Sequence, residues 1–170
     1  LDYDGTLTPI VERPELAVLS EEMREVIREL AARVAVSIVS GRDRADVERL
    51  VGLPEVAYVG GHGLDIAGPY GVTLEASIPA WIAPRMVEVA LHLKSRLGSI
   101  AGVEIEAKRY SAVAHVRRAD EAGVEAVHRV ISDLVESDAR LRRSSGKKIV
   151  EILPAVEWDK GHAVLALLEF

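Results

Sequence analysis

Leu1-Asp2-Tyr3-Asp4-Gly5-Thr6-Leu7-Thr8-Pro9-Ile10 places two carboxylates one residue apart, followed at once by a glycine and a hydroxyl side chain. Leu1 to Gly5 reads as the end of a strand running into a turn; one apolar residue precedes Asp2, so the strand is expected to begin upstream. Two carboxylates so spaced leave a strand and tight bend on one side, where one can attack phosphorus while the other exchanges a proton with the leaving oxygen. Gly5 lets the backbone turn, and the amide hydrogens near Gly5 and Thr6 can point at an oxyanion. Asp-Gly is also a common plain turn; the second aspartate, the threonine and the preceding strand weigh against that reading.

Downstream, Ser20 with Glu21 and Glu22 is a helix start, and Met23, Val26, Ile27 and Leu30 fall at helical spacing. Val34 to Val39 is a short, β-branched apolar run of the kind found in parallel strands covered on both faces, and it ends at Ser40-Gly41-Arg42. A helix over about Asp43 to Val51 is broken by Gly52 and Pro54, and Val56 to Val59 supplies another buried strand before Gly60-Gly61-His62-Gly63. Strand, helix, strand, helix, strand predicts an α/β protein with a doubly wound, Rossmann-like parallel-sheet core, in which ligands bind at the carboxyl ends of the strands.

From about residue 70 the pattern changes. Pro79 and Pro84 precede a helical stretch with Val87, Ala90, Leu91 and Leu97 on one face, stopped by Gly98 and Gly102. Strict alternation follows: Val103, Ile105 and Ala107 are apolar in one strand, Ala112, Ala114 and Val116 in the next. The opposite parity puts Glu104, Glu106 and Lys108 on one face, Val113, His115 and Arg117 on another, and Lys147 on the side of Glu151. A helix over about Glu121 to Val135 and strands around Arg140 to Arg143 and Lys147 to Leu153 complete an inserted α+β cap with an open sheet face. The expected division is 1–69 for the first part of the core, 70–153 for the cap and 154–170 for the resumed core. There Ala163, Val164, Leu167 and Leu168 continue a helix expected to extend past Phe170.

The composition suits a globular protein with a real core: 170 residues, 49% apolar and 28% charged. A formal charge of −6 argues against broad contact with nucleic acid, and no apolar run suggests a membrane span. The absence of cysteine suits a reducing, cytoplasmic setting. Residues 108 to 148 carry ten of the 21 basic side chains against six acidic ones, a local balance that can attract a small anion or simply be a solvated face. Trp81 and Trp158 read as packing residues at a domain boundary rather than ligand platforms.

Asp2-x-Asp4-Gly5-Thr6-Leu7 resembles the first motif of haloacid-dehalogenase-type phosphatases, Ser40 the second and Lys160 the third. The longer phrases Leu1 to Ile10, Ser40-Gly41-Arg42, Gly61-His62-Gly63 and Gly146-Lys147-Lys148-Ile149-Val150-Glu151 resemble the trehalose-phosphatase family across nearly the whole chain. The resemblance implies Asp2 as nucleophile, Asp4 as general acid/base and Lys160 as the neutralising cation. It also implies that the Ser40 hydroxyl and the backbone at Thr6 hold the phosphoryl oxygens. Arg42 fits either the phosphate or the cap. His62 fits a hydrogen bond within its own glycine turns, while the resemblance implies a place near the sugar. Glu106, Lys108, Arg117, Lys147 and Glu151 match the cap positions that meet sugar hydroxyls.

The implied cofactor is Mg²⁺, held by Asp2, the backbone carbonyl of Asp4 and an acidic cluster expected beyond Phe170. Leu153 stands where the family usually has Arg, and Asp65 where Glu is common, so some sugar contacts are expected to differ. The implied reaction is hydrolysis of trehalose 6-phosphate through an aspartyl-phosphate, with the cap closing over a small sugar phosphate and a trehalose-phosphate synthase as partner or fusion. A phosphatase of glucosyl-glycerate or sucrose phosphate, a phosphomutase and a non-catalytic sugar-phosphate sensor remain alternatives.

Overall fold

The computed structural model describes residues 1–11, 14–74 and 78–169. The chain divides into two compact units, residues 1–78 with 158–170, and residues 79–157.

In chain order the first unit begins with α1 (Glu21–Ala31), β1 (Ser37–Val39), α2 (Arg44–Val51), β2 (Ala57–Gly60), β3 (Asp65–Ala67) and β4 (Thr73–Leu74). Ser20 caps α1 by accepting the Met23 amide hydrogen, a contact worth about 1 kcal/mol in comparable helices. The face of α1 turned inward is narrower than the predicted stripe: Ile27 is buried, whereas Val26 and Leu30 are exposed. β1 starts at Ser37, and Val34 lies outside it, exposed. α2 ends on Gly52 in the left-handed region, as the Gly52–Pro54 break predicts.

Asp2 bridges Val39 in parallel and β1 pairs with β2 in parallel, but β3 and β4 add antiparallel to the far side, in the order β1-β2-β3-β4. The core sheet is therefore mixed. The glycine-rich turn after β2 sends the chain straight back against its neighbour, so residues 65–74, which periodicity left unassigned to strands, extend the core sheet. The first unit accordingly runs to residue 78, past the end at 69 that the sequence pattern predicts.

Alternation along the parallel strands serves two layers. Ile38 and Tyr58 join a core cluster with Tyr3, Ile27, Val47 and Val51. Their neighbours Val39 and Val59 join Ile66 and Ala163 in another, against which Trp158 and Leu167 pack. Apolar groups on both sides of each strand explain why these runs read as continuous rather than alternating. Tyr3, between the two aspartates, is fully buried and donates its hydroxyl hydrogen to the Ala17 carbonyl at 2.7 Å, anchoring the Asp2–Asp4 turn to the core.

The second unit holds α3 (Ile82–Leu97), β5 (Glu104–Ala107), β6 (Ala112–His115), α4 (Glu121–Ser137), β7 (Leu141–Gly146) and β8 (Ile149–Pro154). Its sheet is wholly antiparallel, in the order β5-β6-β8-β7. Pro84 sits inside the first turn of α3, where a missing amide hydrogen costs no helical bond, and the buried stripe is Ile82, Met86, Val89, Ala90, Leu93 and Leu97. Val87 and Leu91, expected on that stripe, are exposed. Arg143 reaches Ser132 of α4 at 3.5 Å and pairs with Ile152, which marks the helix-covered side of the sheet as the one bearing Ile152 and its cross-strand partner Ala112. Asp138 ties α3 to β7 by accepting from Arg85 and Arg140 at 3.0 Å each, and Arg140 holds it well below the usual carboxylate range.

The chain then returns to the first unit as α5 (Lys160–Leu168), whose N-cap Asp159 accepts the His162 amide hydrogen. Among the described residues no helix is long and apolar enough to cross a membrane.

Candidate active site

Lys160 Nζ donates to Asp2 Oδ1 at 2.9 Å across 158 residues of sequence. Both side chains stay open to solvent, at 42% for Lys160 and 46% for Asp2, so the pair lies at the surface of the first unit rather than walled into its core. An exposed ion pair contributes little to stability.

Asp4 makes the opposite kind of contact. Arg42 closes on it with both arms of its guanidinium, Nε to Oδ2 at 2.8 Å and Nη2 to Oδ1 at 2.6 Å. The planar fork matches a carboxylate, so one arginine occupies both oxygens. The guanidinium also lies 5.3 Å from the Tyr3 ring centroid. The hydrogen bond to Asp4 raises the Arg42 pKa against the cost of burial. Arg42, expected at a phosphate or at the cap, is thus engaged with Asp4.

Ser40 is buried, 1% exposed, and its Oγ accepts the Arg42 amide hydrogen at 3.1 Å, turning the chain sharply at the end of β1. Thr6 is exposed on the Asp2–Asp4 turn. The Gly5 amide hydrogen goes to the Thr8 carbonyl at 2.8 Å, so it closes the turn instead of pointing at an anion, contrary to the expectation from sequence. A turn this tight uses its own amides to hold itself together.

His62 stands in the left-handed region at φ 58° within the Gly61–Gly63 turn. Its ring packs so near Gly41 that a β-carbon there would lie 2.9 Å from Cε1. Gly63, at φ 104°, allows an equally close approach on the other side: a β-carbon would meet the Asp159 carbonyl at 2.4 Å. The Trp158 indole hydrogen bonds the Gly63 carbonyl at 2.7 Å. One turn therefore touches both the Ser40–Arg42 segment and the residues leading into Lys160. Trp158 carries no motif signal that would have marked it.

In the second unit, cross-strand register aligns Glu106, Val113, Glu151 and Ser144 in one row and Glu104 with His115 and Ile149 in the next. His115 Nε2 lies 2.8 Å from Glu106 Oε2, diagonal across the pair, and this hydrogen bond lowers the Glu106 pKa with help from Lys108. Glu151, 6% exposed, accepts from Ser111 Oγ at 2.7 Å and lies 3.9 Å from Lys108 Nζ. Glu106, Lys108 and Glu151 are thus brought together, with His115 and Ser111 added to them. The parity of His115 with Val113 was the available signal. Val113, Glu151 and Leu153 are buried while Glu104 and Glu106 are exposed, so the face expected to be open is exposed only toward β5.

Arg117 and Lys147 depart from the predicted strand positions. β6 ends at His115 and Arg117 lies exposed in the turn beyond it, while Lys147 occupies the two-residue loop between β7 and β8 beside Lys148, whose φ is 64°. Parity fails for both because neither lies on a pleated strand. Arg118, next to Arg117, pairs with Glu104.

Among the described residues no group of three or more His, Cys, Asp or Glu side chains could hold a metal ion. The donors present, the half-exposed Asp2 carboxylate and the Asp4 backbone carbonyl, are the hard oxygens that magnesium takes, and that ion commonly uses only one or two carboxylates beside water and phosphate.

The two-sided α/β core, with the Asp2–Asp4 turn beside β1 and Lys160 closing on it, defines a fold of the haloacid-dehalogenase type. Known proteins narrow this. The trehalose-phosphatase family profile matches residues 1–170. Probable trehalose-phosphate phosphatase 9 of Oryza sativa is 41% identical over 180 residues, covering 99% of this chain and 48% of its own. Trehalose-phosphate phosphatase of Mycobacterium tuberculosis is 37% identical over 168 residues, covering 99% and 43%. The solved C-terminal domain of C. albicans trehalose-6-phosphate phosphatase superposes with a TM-score of 0.78 at 28% identity, covering 99% of this chain and 60% of that one. The chain belongs to the trehalose-phosphatase family. It spans about half the length of the curated relatives it matches.

Proposed function

We propose that this chain carries the nucleophile and the sugar-recognising face of a phosphomonoesterase that hydrolyses trehalose 6-phosphate to trehalose and phosphate, as a step in trehalose biosynthesis. The observation that carries the proposal is the 2.9 Å contact of Lys160 with a half-exposed Asp2, in a chain of this family.

In this reading an Asp2 oxygen attacks phosphorus in line while the bond from phosphorus to the sugar oxygen breaks. Asp4 gives a proton to the departing oxygen, then takes one from the water that attacks the aspartyl-phosphate, releasing phosphate and restoring Asp2. Both Asp4 oxygens accept from Arg42, so one must leave the guanidinium fork before Asp4 can deliver a proton. Lys160 offsets charge on Asp2 and the phosphoryl group, and the Ser40 hydroxyl and the Thr6 backbone hold phosphoryl oxygens. Asp2 and the Asp4 carbonyl would hold Mg²⁺, which when bound screens the phosphate's charge from the incoming carboxylate. Glu106, Lys108 and Glu151 bind sugar hydroxyls, with Arg117 and Lys147 as further contacts from their turns, and His62 serves the sugar or its own turn.

A cytoplasmic setting and association with a trehalose-phosphate synthase belong to the same proposal. The test is phosphate release by the purified protein over trehalose 6-phosphate, sucrose phosphate, glucosyl-glycerate phosphate and glucose 6-phosphate, with and without Mg²⁺. Highest kcat/KM for trehalose 6-phosphate, dependent on Mg²⁺, is expected. Equal turnover of the panel would remove the substrate assignment, and release undiminished by chelation would remove the metal.

A further inference from the structure

We infer that Trp158 is a positioning residue for Lys160, acting through the carbonyl of Gly63. The inference goes beyond the reaction proposed above and rests on it only for the kinetic consequence.

Lys160 is the first residue of α5, and a first-turn side chain is only as well placed as the start of its helix. Three contacts fix that start. Asp159 accepts from the His162 backbone at 2.9 Å and from its Nδ1 at 2.8 Å, which lowers the Asp159 pKa. The Trp158 ring stacks on His162, with centroids 5.8 Å apart and planes 27° from parallel. The indole hydrogen bonds the Gly63 carbonyl at 2.7 Å, in a turn that a β-carbon at position 63 would push off the Asp159 backbone.

The first two contacts are local to α5 and would travel with it. The third reaches the sheet by a directed bond, because Gly61 donates its amide hydrogen to Arg42 at 2.7 Å and β2 leads directly into the turn; the apolar packing of Ala163 on Val39, Val59 and Ile66 holds α5 to the same strands without fixing an orientation. The same sheet holds Asp2 through its bridge to Val39. The indole hydrogen bond thus closes a loop running from Trp158 through Gly63, β2 and β1 to Asp2, and back across the ion pair to Lys160. Trp158 also packs against the cluster of Val39, Val59, Ile66 and Ala163, an apolar contact that Phe can keep while removing the donor.

The experiment compares the purified protein with its Trp158→Phe variant. Competitive acetylation followed by mass spectrometry measures the reactivity of the Lys160 amine, with Lys94 of α3 as the internal control. Several-fold faster labelling of Lys160 in the variant, with Lys94 unchanged, is expected; unchanged Lys160 labelling overturns the inference whether or not the protein is a phosphatase. Kinetics with p-nitrophenyl phosphate, which carries no sugar, should show kcat lower by about tenfold and KM within about twofold. In a Lys160→Ala background rescued by ethylammonium, the second substitution should add no further loss. An equal loss in both backgrounds, or a raised KM with kcat intact, would mean that Trp158 acts on something other than Lys160.

Discussion

The two units hold their charged groups in different ways. In the first, partners come from far apart: Asp2 meets Lys160 over 158 residues and Asp4 meets Arg42 over 38, with the chain passing through helices and strands between them. In the second, Glu106 and His115 are nine residues apart on the two arms of one hairpin, and Lys108, just past the end of β5, meets Glu151 of β8 with β6 alone between those strands. The first arrangement gathers loop residues at strand ends, where partners and exposure suit making and breaking bonds. The second is a fixed grid whose spacing suits matching a set of hydroxyl groups. Chemistry in one unit and recognition in the other is the contrast to test.

The largest expected effect is on the chemical side. Asp2→Asn should lower kcat by roughly 10³-fold or more while leaving circular dichroism and substrate affinity close to the parent, because the amide keeps the shape but is no nucleophile. Near-parental turnover would end the division of labour at its first step.

Arg42→Lys should cost roughly tenfold in kcat, since an ammonium cannot hold both Asp4 oxygens as the fork does. A variant that keeps full kcat would show that Asp4 needs no orienting partner.

Glu151→Gln sharpens the contrast from the other side. Its carboxylate accepts from Ser111 near Lys108, so the substitution should reduce kcat/KM for trehalose 6-phosphate by about tenfold, the equivalent of one charge-assisted hydrogen bond. Turnover of p-nitrophenyl phosphate should stay within about twofold. Equal losses on both substrates would place Glu151 in the chemistry instead.

The smallest effect concerns stability. Glu106 has its pKa lowered by the His115 hydrogen bond first and by Lys108 as well, so its stabilising contribution is present above the ordinary glutamate range and lost as pH falls through its depressed folded value. The Tm of the parent should therefore decline more steeply on acidification below that range than the Tm of Glu106→Gln. Parallel curves would show that the pair contributes nothing to the folded state.

How much of this was legible follows from the same contrast. Period-two alternation placed Glu104, Glu106 and Lys108 on one face because an antiparallel hairpin propagates parity from residue to residue. It failed at Arg117 and Lys147, where the pleat stops: a turn residue has no face. Helical spacing put Val87 and Leu91 on the buried side of α3, but the side a helix turns inward depends on what it meets. The antiparallel addition of β3 and β4 was illegible for a similar reason, since three- and two-residue strands carry too little pattern to count.

By itself the sequence determined the paired aspartates at a strand end, the α/β succession, the change to an α+β insert and the acidic and basic residues available to both units. These are local properties, fixed by side-chain type and spacing. Tertiary structure alone decided that Arg42 closes on Asp4, that Glu151 is buried beside Ser111, and that Trp158 reaches Gly63. Each of those joins segments whose distance in space is set by how helices and strands pack between them, and no spacing along the chain encodes that distance.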